Sequence, residues 1–265
     1  MTQLESVDLF AATAGSADAR SHPLDHAAWA SLTGPHRHLA EGTTRVLRYP
    51  PDVSPIVAIP PIVDEEVWSH LHALVGSGAV VAFAGGVGQI PAGWDMVFKG
   101  AGVQLIATDA LRTDEPSPEE IVALGAADAA EMVELVARTK PGPFEARTYV
   151  LGGYVGIRRG GALVAMVGER LHPPGWTEIS AVCTDAGHRR QGLATALVRA
   201  VAGNIRRRGD TPFLHSAKSD VTAIRLYESL GFRIRREVQF TAVRTPASQP
   251  PDVGLAGTLS TERTS

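Results

Sequence analysis

The run His188-Arg189-Arg190-Gln191-Gly192-Leu193-Ala194-Thr195-Ala196-Leu197 joins a basic turn to the entrance of an amphipathic helix. The apolar stretch from Trp176 to Thr184 before it reads as a strand. A strand, a tight turn bearing arginines and a glycine, and then a helix start is a device for holding phosphate. The first N–H groups of a helix have no partner within it, and they carry the positive end of the macrodipole. Gly192 lets the backbone approach an anion closely, and Arg189 and Arg190 add full charge.

The residues after this turn supply the elements that position it. Leu193, Leu197, Val201 and Ile205 fall on one helical face. Arg206, Arg207 and Arg208 sit in the last turn, where cations suit the dipole, and Gly209 ends the helix. Thr211 to His215 reads as a short strand. A second helix is expected from about Asp220 to Leu230, stopped by Gly231, with Ala223, Ile224, Tyr227 and Leu230 on one side.

These motifs resemble those of the GNAT superfamily of acyl-CoA-dependent N-acyltransferases. The family's pyrophosphate motif, Arg/Gln-x-x-Gly-x-Gly/Ala, is matched by Arg189-Arg190-Gln191-Gly192-Leu193-Ala194. Its second signature, Asn-x-x-Ala-x-x-Leu-Tyr-x-x-x-Gly-Phe, is matched from Asp220 through Ala223, Leu226 and Tyr227 to Gly231 and Phe232. Short glycine patterns arise by chance, but both motifs in order, separated by a helix and a strand, are specific. The resemblance covers residues 118–244, about half of the chain.

The resemblance implies an α/β protein with a C-terminal GNAT fold, a mixed and splayed central sheet flanked by helices. An N-terminal α/β domain precedes it, read here as a degenerate unit of the same kind. The expected organisation is a flexible N-terminus over 1–22, an N-terminal domain over 23–115, the acetyltransferase domain over 116–245 and a disordered tail over 246–265. The implied reaction is direct transfer of an acetyl or other short acyl group from acetyl-CoA to a primary amine, through a tetrahedral intermediate. The partners are thus acetyl-CoA and an amine acceptor that the sequence does not identify, with a homodimer left open. A noncatalytic acyl-CoA-binding sensor is the alternative.

Residue by residue, the resemblance places the CoA pyrophosphate on backbone N–H groups from Arg190 through Thr195. The pantetheine arm lies along Val182, Cys183 and Thr184, with the Val182 amide polarising the thioester carbonyl. Tyr227 matches the family tyrosine that protonates the leaving thiolate, and a phenol titrating near ~10 is a suitable donor. Two groups compete as the base. Glu178 lies fourteen positions before Gly192, the offset of the glutamate base in the histone-acetyltransferase branch. His215 lies five positions before Asp220, where ribosomal-protein-acetylating relatives carry a glutamate. By strand alternation, residues 178, 180, 182 and 184 should share a face, with Cys183 on the opposite one. Glu178 and Val182 would then be about 13 Å apart along the strand, too far for direct contact with the thioester, so side-chain reach or a water relay is needed. Asp220 replaces the family asparagine that bonds a pantetheine amide. An ionised aspartate cannot donate, and it is a good helix N-cap. Cys183 reads as a small buried hydrophobe rather than a nucleophile.

Composition bounds the rest. The chain has 265 residues, 44% of them hydrophobic, enough for a substantial core. A net charge of −3 argues against a nucleic-acid-binding surface as the main function. The single cysteine excludes an internal disulfide framework, and neither a signal peptide nor a membrane span is evident. A cytoplasmic protein is therefore expected. His36, His38, His70 and His72 suggest metal ligands at first sight, but His70 and His72 would not share a helical face and no metal motif accompanies them, so no metal is expected. The first half should hold a helix over Trp29 to Glu41, another over Val67 to Leu74, and strands at 45–49, 56–59, 80–84 and 103–107. Arg112 to Glu119 reads as a linker. Beyond it are expected a strand at 121–124, a capping box at Asp128-x-x-Glu131, strands over Arg147 to Arg158 and Gly161 to Leu171, and final strands over Arg233 to Val243.

Overall fold

The computed structural model describes residues 22–113 and 120–247. The expected flexible N-terminus (apart from His22), most of the expected linker and the tail beyond Ala247 lie outside the described residues. The elements run, in chain order, α1 (Ala27–Leu32), β1 (Glu41–Gly42), β2 (Leu47–Arg48), β3 (Val57–Ala58), α2 (Glu65–Val75), β4 (Val80–Ala84), β5 (Asp95–Ala107), β6 (Val122–Leu124), α3 (Ala129–Thr139), β7 (Tyr154–Arg159), β8 (Ala162–Glu169), β9 (Trp176–Thr184), α4 (Leu193–Arg207), β10 (Thr211–Ala217), α5 (Val221–Leu230) and β11 (Phe232–Arg244).

Eight strands form one mixed sheet in the order β4-β11-β5-β10-β9-β8-β7-β6. Its pairs are antiparallel except β9 with β10. Strand pairing runs across residue 115, where a boundary was expected. Strand β5, from the first half, is wedged between β10 and β11, and β4 pairs with the outer edge of β11. The ladder of the second half is thus completed by the first, which pairs both edges of β11 and the edge of β10 that faces away from β9. Nor does the first half form a second copy of the fold: its own sheet is β1-β2-β3, of two-residue strands.

The helical face of α4 foreseen in the sequence packs on this sheet. Leu193, Leu197, Val201 and Ile205 are buried in one cluster with Ile179, Leu105 and Leu214, and Tyr227 and Leu230 of α5 join it. Each fully buried aliphatic side chain of this kind contributes about 1.5–3 kcal/mol. Gly231 ends α5 in a left-handed conformation, φ 104°, where its carbonyl accepts from the Thr108 N–H. The other face of the sheet is covered by α3, through Met132 and Leu135, and by the N-terminal segment, whose Leu24, Ala28, Leu32 and Tyr49 pack with Phe213 and Ile106.

Several local expectations are corrected. The helix expected over Trp29 to Glu41 ends at Leu32, and after the Gly34-Pro35 break only a 3-10 turn at Arg37–Leu39 follows. Asp128 does not close a capping box on α3; its carboxylate accepts from the Gly125 N–H and pairs with Arg158, which also binds Glu131. Thr148–Leu151 is a 3-10 turn, so the strand expected from Arg147 begins only at Tyr154. The final strands are one long strand, β11. Pro246, expected to open a loose tail, accepts hydrogen bonds at its carbonyl from the Gly78 N–H and the His72 ring.

Candidate active site

The parallel ladder between β9 and β10 runs from Trp176↔Thr211 to Ile179↔Leu214 and stops. Past that point β10 stays with β5 through Ala217, while β9 continues with β8 to Thr184. The sheet therefore forks, and residues 180–184 have no β10 partner. A bulge shapes this stretch. Met166 pairs with Cys183 but Gly168 pairs with Ser180, so β9 carries one extra residue, and Ala181 sits at φ 53°. The bulge reverses the expected alternation. Val182 packs toward the α4 cluster with Ile179, whereas Cys183 lies with Met166 and α3. Nothing in Ser180-Ala181-Val182-Cys183 marks a bulge, because the left-handed position holds alanine rather than glycine.

The basic turn lies between the tip of β9 and α4. Arg189, Arg190, Gln191 and Gly192 are exposed, and the Arg189 guanidinium donates to the Thr184 carbonyl at 3.3 Å. Arg190 and Gly192 both have left-handed backbones, φ 62° and 80°. Gly192 is the N-cap of α4 and offers no side chain to the first-turn N–H groups. A Cβ at Gly192 would meet nothing within 4 Å, so the backbone borders open space. These features fit the diphosphate of acetyl-CoA: unclaimed donors, a helix dipole and arginines on one open rim.

At the fork, the two candidate bases prove to be one unit. Glu178, 0% exposed, accepts from Arg170 at 2.9 and 2.6 Å and from His215 Nδ1 at 2.6 Å. Burial alone would raise its pKa, but the charge of Arg170 and the hydrogen bonds from Arg170 and His215 outweigh it and hold the carboxyl down at about 2. A carboxylate so held is a poor acceptor for an amine proton. Its geometry is that of an anchor for His215. The His215 side chain is 2% exposed and is flanked edge-on by the rings of Phe213 and Phe240.

Tyr227 is buried on α5 in the cluster that includes Leu193 and against which the half-buried Val182 packs. Burial, with the Asp220 charge adding to it, pushes its phenol above the usual range, so the proton is held firmly. Asp220 caps α5, its carboxylate accepting from the Ala223 N–H at 2.9 Å. Cys183 is buried, and burial pushes its thiol up to about 11, away from nucleophilic chemistry. His36 stacks on His172 and bonds Tyr49 and the Leu151 carbonyl. Among the described residues no group of three or more side chains gathers that could hold a metal.

A family model for FR47-like proteins matches residues 154–241. A crystal structure from Novosphingobium aromaticivorans, described as belonging to the GNAT family, is 37% identical, covers 84% of this chain and 98% of its own, and superposes with a TM-score of 0.73. This chain belongs to the GNAT family. A GCN5-related N-acetyltransferase from Kribbella flavida shares the fold at 21% identity and a TM-score of 0.58, over 83% of this chain and 95% of its own. No curated protein sequence matches. The chain is thus a member of an acyltransferase family, with the mixed sheet flanked by helices of its GNAT neighbours. Among the described residues no helix is long and apolar enough to cross a membrane.

Sequence reasoning missed Arg170, Gln104 and Arg235. Arg170 had a signal. A hairpin about Pro173-Pro174-Gly175 puts it opposite Glu178, as the Arg170 N–H to Glu178 carbonyl bond records. Gln104 and Arg235 had none, because Gln104 is 111 positions from the histidine it touches and Arg235 lies on another strand.

Proposed function

We propose that this GNAT protein transfers an acetyl or other short acyl group from acetyl-CoA directly to a primary amine. The observation that supports this reading is the fork: β9 has no β10 partner from residue 180, the carboxylate-anchored His215 lies on β10 one residue past the last β9 pair, and the uncapped N-terminus of α4 follows the tip of β9. When bound, acetyl-CoA supplies the acyl group as an activated thioester. The backbone from Arg190 through Thr195 holds its diphosphate, and Val182 to Thr184 align the pantetheine arm. His215 Nε2 takes the amine proton through a water, since its ring is nearly fully enclosed. Glu178 fixes the ring through Nδ1 and stabilises the imidazolium that forms. Tyr227 donates its phenolic hydrogen toward the departing sulfur. Its raised pKa makes it a hydrogen-bond donor rather than a strong acid.

The test is a panel of primary amines assayed for thiol release from acetyl-CoA, with intrinsic hydrolysis subtracted and the acylated amine identified by mass. Amine-dependent thiol release supports transfer. Tight acetyl-CoA binding with no amine-dependent release across peptides, polyamines and small amines would point to the sensor reading instead.

A further inference from the structure

Gln104 lies on β5 directly across the ladder from His215 and is 1% exposed. Its amide is held at three points. Oε1 accepts from Arg235 at 2.8 Å, and Nε2 donates to the Leu24 carbonyl at 3.0 Å and meets His215 Nε2 at 3.1 Å. A carbonyl only accepts and a guanidinium only donates, so the amide has one allowed orientation. Its second N–H then points at His215 Nε2, which must accept. The ring hydrogen is therefore on Nδ1, where it is donated to Glu178. Arg235 is itself fixed at its far end by Asp25, 2.7 Å away.

The charged groups about the ring are Glu178 and its partner Arg170, Arg235 on β11, and Asp25 on the N-terminal turn, which Arg236 of β11 also binds. Glu178 touches the ring only through Nδ1. Nε2 takes a proton only if Gln104 turns over, and that rotation sets Oε1 against the Leu24 carbonyl and the NH2 group against Arg235. We propose that Gln104, clamped by Arg235 and Leu24, is a positioning residue that keeps His215 in its Nδ1–H tautomer and withholds the Nε2 lone pair until the clamp opens. The tautomer stands on geometry alone; its bearing on turnover rests on the reading of His215 as proton acceptor.

Long-range nitrogen–proton NMR of the full chain, with His215→Gln to assign the ring, tests this. The expected wild-type spectrum at neutral pH has a protonated Nδ1 and an unprotonated, hydrogen-bonded Nε2. Gln104→Glu replaces the donor by an acceptor, and the ring should then carry hydrogens on both nitrogens at the same pH. Gln104→Leu removes the N–H that favours the neutral ring, so the acidic limb of turnover should move to higher pH. An Nε2–H or doubly protonated ring in the wild type overturns the proposal, and that measurement needs no variant to fold. A folded Gln104→Glu protein with an unchanged spectrum also overturns it. The expected spectra with an acidic limb unmoved in Gln104→Leu uphold the tautomer clamp and reject His215 as the proton acceptor.

Discussion

Replacing Arg170 by methionine tests the reasoning about the fork most directly. Arg170 supplies the 2.6 and 2.9 Å bonds that neutralise Glu178, a carboxylate with no solvent exposure. Arg170 and His215 together hold that carboxyl from its ordinary 4.5 down to about 2 against the opposing effect of burial, a net shift that corresponds to about 3 kcal/mol, at about 1.4 kcal/mol per pH unit. Removing one partner of a buried pair independently costs about 3–5 kcal/mol, because a charge is left without compensation. For a chain of this size the melting temperature should fall by about 10 °C. Because the folded pKa lies below the ordinary one, the stabilisation is complete above pH 4.5 and is lost as pH falls through about 2. Urea unfolding followed by far-UV circular dichroism at pH 7, 5 and 3 measures both effects. Adding Glu178→Gln to the variant should restore much of the loss, since no buried charge then remains. A loss in Arg170→Met below about 1 kcal/mol at pH 7 would refute the account of Glu178 as a buried, arginine-held anchor.

Four further outcomes are expected. Gly192→Ala should cost only about 1–2 kcal/mol of stability for its left-handed backbone, yet weaken acetyl-CoA binding at least about tenfold by calorimetry; unchanged affinity would remove the turn from the cradle. Tyr227→Phe should lower kcat by about tenfold or more while the CoA dissociation constant stays within about twofold, and equal turnover would retire its role as donor. Ala181→Gly should leave the protein as stable or up to about 1 kcal/mol more stable, because it relieves the positive φ at the bulge, whereas Ala181→Val should destabilise it by thermal melting. Cys183, buried with its thiol pushed up to about 11, should resist iodoacetamide in the native state at pH 8, and Cys183→Ala should retain turnover.

The sequence by itself determined the local devices. Leu193, Leu197, Val201 and Ile205 recur at helical spacing and are buried together, and Gly231 falls where a helix needs a left-handed stop. The basic turn before α4 was legible because its residues are contiguous, and helix ends and phosphate cradles are built from short segments. The tertiary structure decided what depends on pairing between distant segments. Strand β5 gave no alternating pattern over Asp95–Gly100, because that stretch is largely exposed, so its place between β10 and β11 was hidden. Glu178 and His215 looked like rivals along the chain. They became partners only when β9 and β10 were laid side by side, and neither the Arg170 pair nor the Gln104 clamp alters any local propensity. Periodicity reports which face a residue is on, while the proton chemistry of that face is set by neighbours that only the folded sheet brings within 3 Å.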